Sequence, residues 1–285
     1  MTDTDRRGKR PGPAGGAAAA WLAVPAGKAA LLLTAAAALT ISLVAVGVRP
    51  VLRLDQAVAE RLHAAALQHP GLTRASRIVT DWVVDPWTMR LLLAAAVAWL
   101  WHRRRRLLAW WVACTSAVEW ALRSVLRWAI GRDRPEWDRP VDSAEFAAMP
   151  SGHAMTTAAT CVLLLWLAHI THMPTGLLRL GAATAAVAVT AACFTRVFLG
   201  VHWLTDTLAG TLLGAALATS SAATWWAAQA RSARPGHSPG GPLDDGHRRG
   251  GAQSRPAAGR APGSWISEPR SLWLGRPRGR GGRRR

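Results

Sequence analysis

Residues 29–48 read AALLLTAAAALTISLVAVGV, twenty consecutive positions without a charged side chain. An α-helix rises about 1.5 Å per residue, so twenty apolar residues cover the roughly 30 Å hydrocarbon core of a bilayer. Working outward from this run, the sequence offers five more stretches of similar length. They fall at about residues 82–101 (or from Pro86), 107–128, 152–170, 177–194 and 203–228. The second carries Arg90 near its start, and the third carries Glu119, Arg123 and Arg127. The pattern predicts an all-α, six-transmembrane-helix bundle over residues 29–228. A soluble bundle would need polar side chains at helical period along each outer face, and the first, fourth and sixth segments have almost none. A cleaved signal peptide has a shorter apolar region than the first segment and is not followed by five more spans. An uncleaved first helix is therefore expected.

Between the first two spans the pattern changes. Leu54, Val58 and Leu62 recur every fourth residue among Arg53, Asp55, Glu60 and Arg61. The pattern breaks at Pro70-Gly71 and resumes over residues 72–79. Such amphipathic segments suit interfacial helices, with a solvated connector as the alternative. The two ends differ again: residues 1–28 form a basic N-terminal tail and residues 229–285 an Arg-, Gly- and Pro-rich one. Neither has a sustained period, so both are expected to be disordered.

The chain has 285 residues, half of them apolar, with 16 Trp, no Tyr and a net charge of +19. That much aliphatic residue excludes a wholly disordered protein. Three cysteines, all within apolar runs, exclude a disulfide scaffold. The basic excess raises the possibility of a nucleic-acid partner, but its distribution argues for a membrane. Residues 1–28, Arg103–Arg106 and the tail from residue 231 together hold +17 of the +19. The block Arg103–Arg106 lies in a very short loop between two spans, where the positive-inside rule carries most weight. Both termini are therefore predicted to be cytoplasmic in a multi-pass plasma-membrane protein. No nucleic-acid partner is expected.

With that orientation, three polar clusters fall at outward helix ends. The first is Arg127 followed, after six residues, by Arg134-Pro135; the second is Pro150-Ser151-Gly152-His153. The third is Thr195-Arg196, then His202 after five residues and Asp206 after three more. Together they hold the parts that phosphoryl transfer requires. Arg127, Arg134 and Arg196 are permanently charged forks matched to phosphate oxygens. Pro150-Ser151-Gly152 opens a helix, whose first N–H groups favour an anion. His202 and Asp206 are four apart and share a helix face, so the carboxylate can take one ring N–H and leave the other nitrogen as nucleophile. His153 is the natural proton donor to a leaving oxygen.

These segments resemble the three-part signature of the type 2 phosphatidic acid phosphatase family, whose superfamily includes bacterial acid phosphatases and vanadium haloperoxidases. The family pattern is Lys-x6-Arg-Pro, Pro-Ser-Gly-His and Ser-Arg-x5-His-x3-Asp. Arg127 stands in place of the Lys and Thr195 in place of the Ser; every other position matches. The resemblance implies a lipid phosphatase that needs no metal or other cofactor and works through a phospho-histidine. His202 would be the nucleophile, Asp206 its orienting partner and His153 the general acid. Arg127, Arg134 and Arg196 would bind the phosphoryl group with Ser151 and the Gly152 N–H. The substrates implied are a polyprenyl diphosphate such as undecaprenyl diphosphate, phosphatidic acid or phosphatidylglycerol phosphate. A vanadate-dependent haloperoxidase and a catalytically silent membrane scaffold are the alternatives.

One expectation extends beyond the family pattern. Glu119, Arg123 and Arg127 are spaced four apart, forming a charged stripe that should face the bundle interior. Glu119 is expected to pair with Arg123 and so hold Arg127 toward the phosphate, with Thr195 as a further supporting residue. The remaining charges of the loop after the third span, Arg132, Asp133, Glu136, Asp138 and Arg139, read as solvated. His63 and the other histidines outside the motifs have no partner at useful spacing, and no metal site is expected.

Overall fold

In the computed structural model, residues 20–232 are described; the expected disordered tails lie outside them except for residues 20–28 and 229–232, which are helical apart from Val24. Helix α1 spans Pro25–Ala45, α2 Arg49–Gln68 and α3 Pro70–Ile78, which runs on through a π-turn, Val79–Val83. Helix α4 spans Pro86–His102, α5 Arg106–Ile130, α6 Gly152–Ile170, α7 Thr175–Phe198 and α8 Leu204–Ser232. Four of these helices, α1 to α4, begin with Pro in their first turn, where a missing N–H costs nothing and the fixed φ suits helix entry. Helix α5 stops at Gly131, whose φ of 60° is the left-handed conformation that closes a helix.

The apolar segments are helices close to where the sequence puts them. Helix α1 starts four residues before the expected boundary and α8 continues four residues past it. Four segments are long and apolar enough to cross a membrane: Pro25–Ala45, Pro70–His102, Gly152–Ile170 and Thr175–Phe198. Helices α5 and α8 have the length but carry more polar residues. The outward faces are apolar, with Leu32, Leu91, Val187 and Trp128 each at least two-thirds exposed. A monomeric soluble protein seldom shows so much apolar surface.

Small residues set the packing. Helix α8 lies against α6 and α1 and buries Ala209, Gly210, Gly214, Ala218 and Ala222. A Cβ on Gly210 would come within 2.6 Å of the Ser151 carbonyl, and one on Gly214 would strike the Met155 carbonyl. Backbones can approach this closely only where side chains are absent, as in helix packing within lipid. At the other end of the bundle, Leu100, Val112, Leu163 and Leu167 join α4, α5 and α6 into an apolar cluster.

Helix α2 is amphipathic, but its inward face is one residue on from the predicted Leu54-Val58-Leu62 stripe. Asp55, Ala59, His63 and Ala66 are buried, whereas Leu54 is exposed. The reason lies in the partners: the site loop and α8 offer donors to Asp55, and Trp137 offers a ring to His63. His63 stacks on Trp137 with centroids 4.1 Å apart, and the Trp137 indole N–H donates to the Gly200 carbonyl. A histidine without a partner in the sequence thus has a packing role in the fold.

Candidate active site

The three sequence clusters meet at one end of the bundle, where α5 and α7 finish and α6 and α8 begin. The backbone itself draws them together. The Ser151 N–H donates to the Asp206 carbonyl at 3.0 Å, and the Arg127 Nε donates to the Pro150 carbonyl at 3.1 Å. A cavity of about 730 Å³ opens between them and is lined by Arg127, Arg134, Gly152, His153, Arg196 and His202.

His202 is buried and held on both sides. Its Nδ1 lies 3.4 Å from Asp206 Oδ2, and its Nε2 lies 3.3 Å from Arg134 Nη1. Burial, followed by the fields of Arg134, Arg196 and Arg127, drives the ring well below the usual histidine pKa. A neutral ring that donates its Nδ1–H as a hydrogen bond to Asp206 presents a lone pair at Nε2, toward the arginines. Arg134 also donates through Nε to the Phe146 carbonyl and through Nη1 to the Val201 carbonyl, which fixes its fork. Burial and then Arg196 lower Arg134 to about 10, so it remains fully charged at neutral pH.

Asp206 is completely buried and accepts three different contacts. The Trp203 N–H reaches Oδ2 at 2.9 Å, His202 shares that oxygen, and Arg132 Nη1 reaches Oδ1 at 2.6 Å. Here the structure corrects the sequence reading of the loop. Arg132 is no solvated charge but the centre of an ion-pair bridge, because its second nitrogen pairs with Asp55 of α2 at 2.7 Å. Asp55 in turn accepts from the Thr205 N–H at 2.9 Å and from the Thr205 hydroxyl at 2.5 Å. The Arg132 guanidinium also lies over the Trp203 ring, 5.5 Å from its centroid, while that indole N–H donates to the Asp133 carbonyl at 2.9 Å. Nothing local in the sequence marks Arg132, Asp55 or Thr205, because their partners lie 73 to 150 residues away.

The remaining site residues divide by environment. His153, on the first turn of α6, points its Nε2 at Asp85 Oδ1, 3.8 Å away. Asp85 caps α4 by accepting from the Trp87 and Thr88 N–H groups. Arg196 is buried and reaches Thr80 of the π-turn and Asp142 of the loop, each at 3.5 Å. Its Nε and the Ser151 hydroxyl are buried without a protein partner, and an oxyanion could engage both. Ser151 makes no side-chain cap on α6, so the first-turn N–H groups stay available to an anion. Gly152 lets two arginine forks approach the backbone closely. A Cβ there would lie 2.6 Å from Arg123 Nη1 and 2.8 Å from Arg127 Nη2.

Two expectations are revised. Glu119 is buried, but its partner is the Thr156 hydroxyl at 3.0 Å, and no ion pair within 4.0 Å joins it to Arg123 among the described residues. The Arg123 side chain extends toward α6, as its approach to Gly152 shows. The Thr195 hydroxyl donates to the Ala191 carbonyl of its own helix at 2.8 Å, so its hydrogen bond stays within α7 instead of supporting an arginine. Among the described residues no group of three or more His, Cys, Asp or Glu is placed to hold a metal ion.

Known proteins resemble this chain in family signature and in fold. The family model of the PAP2 superfamily matches residues 108–231, which span all three clusters. No curated protein matches the chain. Among solved structures, the fold resembles the crystal structure of the first transmembrane PAP2-type phosphatidylglycerolphosphate phosphatase from Bacillus subtilis. That likeness has a TM-score of 0.59 at 22% identity and covers 66% of this chain and 92% of the other.

Proposed function

We propose, from the match of residues 108–231 to the PAP2 superfamily model, that this chain is an integral membrane phosphatase acting on lipid phosphates. The observation that carries the reading is the convergence of His202–Asp206, His153 and three arginines on one cavity. In this reading His202 Nε2 attacks phosphorus, and Asp206 stabilises the ring as it becomes positive. Arg127, Arg134 and Arg196 hold the three equatorial oxygens, where charge concentrates in the transition state. His153, oriented by Asp85, gives its proton to the leaving oxygen. Water then hydrolyses the phospho-histidine, releasing inorganic phosphate.

The substrate choice follows from the setting. A site at the end of a transmembrane bundle can take a headgroup while the lipid chain remains in the bilayer. Polyprenyl diphosphate, phosphatidic acid and phosphatidylglycerol phosphate all fit that description, and a phosphatidylglycerolphosphate phosphatase is similar in fold. Six spans, cytoplasmic termini and a site on the outer side complete the proposal. An outward site suits recycling of a polyprenyl carrier. The test is phosphate release by the purified protein from these three lipids and a soluble phosphomonoester, with chelator present. Release from a lipid substrate, lost in His202→Ala and retained after removal of residues 231–285, is expected. Release that persists in His202→Ala would overturn the mechanism, and release abolished by chelator would overturn its metal independence.

A further inference from the structure

The cavity holds more positive charge than one phosphoryl group uses. Besides Arg127, Arg134 and Arg196, its wall includes Arg90 of α4 and Arg123 of α5, which lie outside the family pattern. Arg123 is nine-tenths buried, and its Nε has no hydrogen-bond partner. Arg90 Nη2 is likewise buried without a partner, while its guanidinium lies over Trp87, 5.4 Å from the ring centroid. Glu119 is the carboxylate in the field of both, but it is engaged with Thr156. Buried cations inside a membrane protein are costly unless they bind something. Keeping two more, both open to the same cavity, implies a second anion.

We infer that Arg123 and Arg90 form a second phosphate subsite, which holds the inner phosphate of a lipid diphosphate. This rests on the phosphatase reading above. The placement follows from Gly152, because Arg123 Nη1 and Arg127 Nη2 both close on the point a Cβ would occupy there. The two forks are therefore neighbours at the first turn of α6, and the second phosphate must directly adjoin the first. A diphosphate meets that condition, whereas in phosphatidylglycerol phosphate a glycerol unit separates the two phosphorus atoms. In the reaction, His202 Nε2 bonds to the outer phosphorus and the bond from that phosphorus to the bridging oxygen breaks. The electron pair stays on the inner phosphate, which leaves as a monoester held by Arg123 and Arg90, with its proton supplied by His153. Water then adds to the phospho-histidine, its proton returns to His153, and inorganic phosphate departs.

The experiment compares farnesyl diphosphate with farnesyl phosphate, and phosphatidylglycerol phosphate with phosphatidic acid, using the full chain in detergent. For Arg123→Gln and Arg90→Gln, the diphosphate-to-monophosphate ratio of kcat/KM should fall about tenfold or more, the worth of a lost charge-assisted contact. An unchanged ratio overturns the subsite, and a fall confined to the phosphatidylglycerol phosphate pair overturns its adjoining placement. Because a variant could fail to fold, the wild-type protein is also titrated with methylenediphosphonate and methylphosphonate, followed by tryptophan fluorescence. The diphosphonate should bind about tenfold tighter or better; equal affinity overturns the subsite whether or not the protein is active. Hydrolysis of none of the four lipids would overturn the phosphatase reading instead.

Discussion

Arg132→Gln is the sharpest test of how the proposed catalytic pair, His202 and Asp206, is held. Arg132 bridges Asp206 and Asp55, at 2.6 and 2.7 Å, with 12% of its own side chain exposed and almost none of theirs. Removing one partner of a buried pair costs about 3–5 kcal/mol, because a charge is left uncompensated. Here both carboxylates keep other donors, the Trp203 N–H for Asp206 and the two Thr205 donors for Asp55. The loss of stability should therefore lie near the lower end, about 3 kcal/mol. The kinetic effect comes from freeing Asp206 Oδ1, since the same carboxylate orients the His202 ring through Oδ2. A displacement of about 1 Å in a catalytic group costs about 10²-fold in rate.

Arg132 lies behind the cavity wall and contributes nothing to its lining. Hence kcat should fall between about 10- and 100-fold while KM and inhibition by inorganic phosphate stay near wild type. Phosphate release and thermal unfolding in detergent measure the two effects separately. Arg132→Lys should restore only part of kcat, because a single ammonium cannot bridge two carboxylates as a fork does. Asp55→Asn should combine with Arg132→Gln less than additively, as expected for one network. A kcat for Arg132→Gln within about threefold of wild type, in protein that is measurably destabilised, would refute the positioning role and leave Arg132 a structural residue.

Three other outcomes follow from the geometry. Gly152→Ala should raise the inhibition constant of inorganic phosphate about tenfold with the fold intact, since the added methyl meets only the flexible ends of Arg123 and Arg127; an unchanged constant would refute the close approach. Gly214→Ala should reduce the folded yield and the unfolding temperature, because its methyl meets the Met155 backbone carbonyl and the Ala159 nitrogen, neither of which can move alone; wild-type stability would show that α6 and α8 are farther apart. His202, lowered by burial and by three arginines, should stay neutral as pH falls through the ordinary histidine range near 6.5. Nitrogen NMR of histidine-labelled protein in micelles reads this directly, and an imidazolium signal for His202 at pH 6 would refute it.

What was legible in the sequence, and what was not, follows from distance along the chain. The helices could be read because each is a contiguous apolar run. The pair His202 and Asp206 could be read because four residues make one helical turn. The three arginines and His153 could be read because the motif order places them at helix ends. Helix α2 shows where such reading fails: hydrophobicity alone oriented it by Leu54, Val58 and Leu62, yet the buried face is the one carrying Asp55 and His63. A polar residue turns inward when the fold brings it partners, and those partners, Thr205 and Arg132, come from elements far away in sequence. The same logic separates Arg132 from its neighbours in the loop. Its exposure to solvent was the natural inference from a run of charges, but a buried carboxylate that must stay ionised needs a cation, and among the described residues Arg132 is the arginine that pairs directly with Asp206. A buried carboxylate recognised in sequence therefore implies an unseen partner, and a charged loop beside the motif is the first place to look for it.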